Sequence, residues 1–200
     1  MGSKEEVDSL IEILKYKKDS PLRAKAVEAL RDLGGPAIEP LIHALRDEDW
    51  DVRRRAAWAL GTMGEPTVAP LIHTLKDERW DVRRKVAWAL GNIGDLRATV
   101  PLIHALHDEY PDVREEAAWA LGTLRDPRAI EPLIHALLDE HSDVRRQIAR
   151  SLAALTILND EMVKKKIQVY ESKLEERDQI SFGRFKNLYE QELKKLRTKS

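Results

Sequence analysis

Pro40-Leu41-Ile42-His43-Ala44-Leu45, followed by Asp51-Val52-Arg53 and then by Ala57-Trp58-Ala59-Leu60-Gly61, is the stretch that decides the fold. The first block returns beginning at Pro70, Pro101 and Pro132, at intervals of 30, 31 and 31 residues. The second returns as Asp81-Val82-Arg83, Asp112-Val113-Arg114 and Asp143-Val144-Arg145, and Ala-Trp-Ala-Leu-Gly recurs at 87–91 and 118–122. A fixed period of this length marks a repeat array. Upstream lies a looser copy, in which Leu10-Ile11 stands for Leu41-Ile42 and Leu22-Arg23 for Val52-Arg53. Divergence is expected there, because a terminal unit turns one face to water.

Each copy reads as two helices. Ile38, Leu41, Ile42 and Leu45 follow i, i+3, i+4, i+7, a single apolar stripe, and Val52, Ala56, Ala59, Leu60 and Met63 make a second. The break between them, about Asp47 to Trp50, is short, so the two must be antiparallel neighbours. Pro36, Pro66 and Pro127 stand where the first helix opens, a position at which proline loses no hydrogen bond. Ser20 and Ser142 are placed to cap the second helix, and Gly64 and Gly94 to end it as left-handed C-caps. A single pair of 12-residue helices cannot bury its stripes, so neighbouring pairs must stack to cover them.

Composition narrows the chemistry. The 200 residues carry a formal charge of -1, 42% hydrophobic residues and 34% charged ones. With no Cys, disulfides, thiolate metal sites and thiol nucleophiles are excluded. No overall basic excess points to nucleic acid. The polar start, Met1 to Glu6, lacks the apolar run of a signal peptide, and no apolar stretch approaches membrane-spanning length. A soluble cytoplasmic protein is expected.

The Pro-Leu-Ile-x-Ala-Leu block and the Asp-Val-Arg-x-x-Ala-Ala-x-Ala-Leu-Gly block together resemble the short HEAT-like repeats of the phycobilin-lyase type, common in archaeal and bacterial proteins and in artificial scaffolds idealised from them. The resemblance covers residues 5 to about 156. It implies an all-α, right-handed α-solenoid of five HEAT-like helix pairs, at about 5–34, 36–64, 66–94, 97–125 and 128–155, with residues 157–200 adding a C-terminal helical pair. It further implies that the second helices line a concave surface, and that the x positions of the second block carry binding. Those positions are Arg54, Arg55 and Trp58; Arg84, Lys85 and Trp88; Glu115, Glu116 and Trp119; Arg146, Gln147 and Arg150; and, in the first copy, Ala24, Lys25 and Glu28.

Trp58, Trp88 and Trp119 should stack about one helix spacing apart, roughly 10 Å, with Trp50 and Trp80 at the mouth of the second helix. They either fill gaps between Ala-rich helices or form an exposed aromatic strip. The strip is the sharper expectation, because Trp and Arg dominate binding hot spots. A nucleic-acid groove also sets Arg beside aromatics, but Glu115 and Glu116 interrupt the basic run. The expected partner is therefore a protein or peptide, with nucleic acid the alternative. The recurring Arg23, Arg53, Arg83, Arg114 and Arg145 serve the scaffold, each expected to pair with an acid such as Asp47, Asp77, Asp108 or Asp139.

His43, His73, His104 and His135 do not form a metal ladder, since equivalent positions stand roughly 10 Å apart and ligands of one metal lie within about 4 Å. No phosphate loop, nucleophile elbow or Ser-His-Asp order is present, so neither catalysis, metal nor cofactor is expected. The lyases that share such repeats attach bilins to proteins, but nothing beyond the repeat points to that activity here.

Past Leu155 the pattern stops. A short joint is expected at Thr156 to Asp160, then an amphipathic helix on Val163, Ile167, Tyr170 and Leu174 and another on Phe185, Leu188, Tyr189, Glu192 and Leu196, with Ser181 as its cap. This pair either caps the fifth copy or docks a partner or a second chain, giving a homodimer through the C-terminal helices.

Overall fold

The computed structural model describes residues 4–15, 20–172 and 176–198, and these are helical throughout apart from short connections. The chain divides into two compact units, Met1–Asp95 and Leu96–Ser200. The first holds α1 (Lys4–Lys15), α2 (Ser20–Leu33), α3 (Ile38–Ala44), α4 (Trp50–Met63), α5 (Val68–Thr74) and α6 (Trp80–Ile93). The second holds α7 (Thr99–Ala105), α8 (Pro111–Leu124), α9 (Ile130–His135), α10 (Ser142–Glu171) and α11 (Glu176–Arg197).

In the first unit α1 packs on α2, α3 on α4 and α5 on α6, and the pairs stack through α2 on α4 and α4 on α6. In the second, α7 pairs with α8 and α9 with α10, and α8 stacks on α10. The stripes read from the sequence are the core. Leu41, Leu45, Val52, Ala56, Ala59, Leu60, Leu71 and Leu90 are buried in the first unit, and Leu102, Val113, Leu121, Leu133, Ile148 and Leu152 in the second. Each large aliphatic side chain contributes about 1.5–3 kcal/mol by leaving water.

From the second copy onward the first helices are shorter than expected. Their opening turn is 3-10, at Gly35–Ala37, Glu65–Thr67, Leu96–Ala98 and Pro127–Ala129, and only six or seven α-helical residues follow. Pro40, Pro70, Pro101 and Pro132 each sit third in that short helix, where the missing N–H would have had no partner. Gly94 ends α6 in the left-handed conformation, as its position suggested. Gly64 does not: at φ 75 and ψ −140 it extends the chain straight into the Pro66 turn, a conformation open essentially to glycine alone. Ser142 is not a cap but the first residue of α10, and His141 holds the cap position. Ser20 is likewise the first residue of α2, and Ser181 lies inside α11 and not at its start; the side chains of both, and Leu174 altogether, lie outside the described residues.

The recurring arginines have a structural duty more specific than expected. Arg53, Arg83, Arg114 and Arg145 each donate to two backbone carbonyls just beyond the first helix of their own copy. Arg53 reaches Asp47 and Glu48 at 2.7 and 2.9 Å, and Arg145 reaches Asp139 and Glu140 at 2.6 and 2.9 Å. Arg83 and Arg114 do the same. Carbonyls of the connecting turn, outside either helix, are thereby satisfied. The carboxylate partners run between copies: Arg23 to Asp51 at 2.7 Å, Arg53 to Asp81 at 3.0 Å, and Arg114 to Asp139 at 2.6 Å. Asp139 is one of the acids expected in this part, whereas Arg23 and Arg53 take Asp51 and Asp81. Asp47, Asp77 and Asp108, like Asp139, accept from the backbone N–H two residues on, which fixes the turn into the second helix.

The expected joint at Thr156–Asp160 is absent, and α10 runs unbroken for 30 residues. Thr156 is fully buried, donates to the Leu152 carbonyl at 2.6 Å and meets the Tyr189 hydroxyl at 2.8 Å. That contact with α11 supplies what local propensity at Asn159-Asp160 does not. Phe182, Phe185, Tyr189 and Leu193 are buried, and α11 packs along α10 and on the turn Ala136–Leu138. Successive ring centroids from Tyr170 through Phe182 and Phe185 to Tyr189 lie 6.0, 5.8 and 6.0 Å apart.

Candidate binding face

Trp50, Arg54 and Trp58 lie at i, i+4, i+8 on α4, so they share one face. Trp50 is 63% exposed and Trp58 41%. The Arg54 guanidinium sits 5.6 Å from the Trp50 ring centroid, within cation–π range. Asp51, one turn back, is the hub. Its carboxylate accepts two bonds from Arg54 at 3.1 and 2.7 Å, one from Arg55 at 3.1 Å and one from Arg23 at 2.7 Å. Burial pushes the Asp51 carboxyl up, but hydrogen bonds from Arg54 and Arg55 outweigh it and leave the group below the ordinary carboxylate value. The Asp51 N–H is in turn held by the Asp49 side chain, which caps α4. A guanidinium fixed on one edge by Asp51 and over one face by Trp50 is pre-organised, which reduces the entropy lost on binding.

Two clefts share Arg54 and Arg55 as a common wall. One, of about 610 Å³, is bounded by Arg23, Trp50 and Asp51 with Glu48 and Asp49. The other, of about 220 Å³, is closed by Val27, Glu28 and Trp58. Each offers an indole beside guanidinium donors and at least one acid. That is a surface for mixed polar and apolar side chains, not a uniform phosphate track.

The other predicted positions are distributed less evenly. On α6, Trp80, Arg84, Lys85 and Trp88 are all half-buried, so Trp88 is partly a packing residue. On α8, Glu115, Glu116 and Trp119 are half-buried as well. On α10, Arg146 is exposed and bonded to Asp143 at 2.8 Å, while Arg150 lies 3.8 Å from Glu192. A cleft of about 640 Å³ brings Trp119, Gln147 and Arg150 together with Glu192 and Leu196 of α11. Sequence reasoning missed Asp51, Glu192 and Leu196. Asp51 recurs as Asp81, Asp112 and Asp143 and so read as scaffold, and no local pattern said where α11 would lie.

His43, His73, His104 and His135 are exposed, and among the described residues no three His, Cys, Asp or Glu side chains are close enough to hold a metal ion. Among those residues, too, no helix is long and apolar enough to cross a membrane.

Known proteins agree with this architecture. A family model for HEAT repeats matches residues 7–72 and again 68–153. No curated protein matches the sequence. Among solved structures, a designed armadillo repeat protein in complex with the peptide (KR)4 is 18% identical with a TM-score of 0.56, over 94% of this chain and 99% of that one. The complex of CpcE and CpcF of phycocyanin lyase from Nostoc sp. PCC7120 gives 24% identity and a TM-score of 0.60, over 75% of this chain and 98% of that one. An engineered protein gives 20% and 0.52, over 98% of this chain and all of the other. At these identities the likeness is one of fold.

Proposed function

Because this chain belongs to the HEAT-repeat family, we propose that it is a non-catalytic scaffold holding a protein or peptide partner on the face formed by its second helices. The observation that carries this is the α4 anchor: two exposed tryptophans flanking an arginine already locked by Asp51. Exposed indoles of this size are the residues that lose most water on association, and centrally placed ones account for about 2 kcal/mol or more each. The predicted positions on α6 lie beside this anchor in the same unit, and those on α8 and α10 belong to the second unit. Two structural neighbours were solved with a bound peptide or a protein partner, which supports the same class of partner here. We read the partner as a protein segment of mixed charge, because Glu28, Glu48 and Asp49 stand among the arginines of the two clefts.

The test is a displayed random-peptide library panned against the whole chain. Selected peptides should bind the wild type and lose about 100-fold or more in affinity to a Trp50→Ala/Trp58→Ala variant whose circular dichroism and melting are nearly unchanged. Peptides that bind the variant equally well would overturn the assignment of the site. Loss of folding in the variant would mean that these indoles belong to the core.

A further inference from the structure

α10 has two apolar faces beyond the point where the repeat pattern stops. Val163 and Ile167 are buried. Met162 and Val169, spaced i, i+7 on the other face, are each 46% exposed. Lys165 and Lys166 lie between them along the helix, so the same face alternates apolar and basic residues. With Ile134, His135 and Glu131 of α9, and Tyr170, these residues bound a groove of about 410 Å³. Tyr170 closes one wall by standing edge-on to His135, centroids 5.3 Å apart. Lys166 is tied to Glu131 at 2.6 Å, whereas Lys165 is exposed on the rim.

The groove lies beside α9, the first helix of its copy. In the first unit the first helices of successive copies pack on one another, α1 on α3 and α3 on α5. A further first helix laid on α9 would occupy this groove. One segment of the chain has the matching chemistry. Helix α1 carries Glu5, Glu6, Asp8 and Glu12 against Lys4 and Lys15, a net charge of -2. Its flank Glu6, Leu10, Ile13 follows i, i+4, i+7, with Glu6 exposed and Leu10 and Ile13 half-exposed.

We propose that the groove receives α1 of a second copy of this chain, Leu10 and Ile13 lying on Met162 and Val169 and Glu6 meeting Lys165. The contact joins two different surfaces, α1 and the groove, and so it is distinct from a dimer in which the C-terminal helices meet their own counterparts. It does not use Trp50, Arg54 or Trp58 of α4.

Sedimentation velocity of the full chain across a range of concentrations tests this. Reversible association is expected in the wild type and none in Met162→Asp/Val169→Asp. Glu6→Lys and Lys165→Glu should each weaken association by about tenfold, and the two mixed or combined should restore it, because like charges then become opposite ones again. Both charge variants alter exposed residues, so they decide the matter if the Asp pair fails to fold. A wild type that stays monomeric at every concentration overturns the proposal. So does association that survives the Asp pair, or charge variants that do not rescue each other. A monomer that instead binds an added acidic peptide in the groove would overturn it too.

Discussion

Gly61 and Gly122 close the same Ala-Leu-Gly motif in two copies, yet replacing them by alanine should have opposite effects. A Cβ at Gly61 would meet the Cα of Ala89 at 3.6 Å and its Cβ at 3.8 Å, ordinary contact distances. Gly61→Ala therefore keeps the packing of α4 on α6 and gains helix propensity, about 0.8–1 kcal/mol. A Cβ at Gly122 would stand 2.6 Å from the Ser151 Oγ, 2.7 Å from its Cβ and 2.8 Å from its Cα. The last of these is backbone and cannot swing away. Ser151 is also held in place by its own bond to the Ala118 carbonyl at 2.6 Å. α8 and α10 must then move apart, and overpacking of this kind costs about 1–3 kcal/mol, enough to outweigh the gain in propensity. We expect Gly61→Ala to raise the urea midpoint and Gly122→Ala to lower it, with far-ultraviolet circular dichroism following both transitions. Should Gly122→Ala stabilise the chain as Gly61→Ala does, the close approach of α8 to α10 is wrong. Should Gly61→Ala destabilise it, the spacing between α4 and α6 is wrong.

Other substitutions probe the remaining parts of the argument. Arg114→Met should cost about 3 kcal/mol in urea unfolding, because it strands the nearly buried Asp139 carboxylate and two carbonyls. Arg146→Ala, which loses only an exposed pair with Asp143, should cost less than about 0.5 kcal/mol. Gly64→Ala should cost about 2–3 kcal/mol at φ 75, ψ −140, more than the roughly 1–2 kcal/mol of Gly94→Ala at φ 76, ψ 16. Asp126 is held below the ordinary carboxylate value by the Arg128 side chain, with the Arg128 N–H and the Thr99 hydroxyl adding to it against burial. Asp51 and Asp81 also lie low. A depressed folded-state value means the unfolded chain takes up protons first, so this stability is complete above the ordinary value of 3.8 and is lost as pH falls through the lower folded values. Asp126→Ala should thus be less stable than wild type at neutral pH by about 2 kcal/mol, with the gap narrowing below about pH 4 in parallel thermal melts.

The repeat made most of the fold legible before any coordinates. Leu41, Val52, Ala56 and Leu60 recur at helical spacing, and a residue that recurs in every copy must serve the contact that every copy makes. What escaped the pattern was interaction between elements distant in sequence. Thr156 reads as a helix breaker beside Asn159 and Asp160, and only Tyr189 of α11, 33 positions later, accounts for the unbroken α10. Gly64 and Gly94 look alike in sequence, but the 3-10 turn Glu65–Thr67 begins directly after Gly64, whereas Asp95 stands between Gly94 and the turn Leu96–Ala98. At the candidate site the exposure of Trp50 and Trp58 was foreseeable as an alternative to packing. Which of the Trp would be half-buried instead, Trp88 and Trp119, was not, because that depends on the neighbouring helices and not on the Ala-Trp-Ala-Leu-Gly motif itself. Asp51 was hidden by its own recurrence as Asp81, Asp112 and Asp143, although Arg55, one of the three arginines that converge on it, is replaced by Lys85, Glu116 and Gln147 in the later copies.

The most direct test of the central claim is site-specific photo-crosslinking in the native cell. A photoreactive phenylalanine analogue would replace Trp58 on the second-helix face in one variant and His73, exposed on α5, in another. The account predicts discrete protein adducts at position 58, suppressed by Arg54→Glu, and none of comparable yield at position 73. Adducts of equal yield at both positions, or adducts at 58 that consist of nucleic acid, would contradict it.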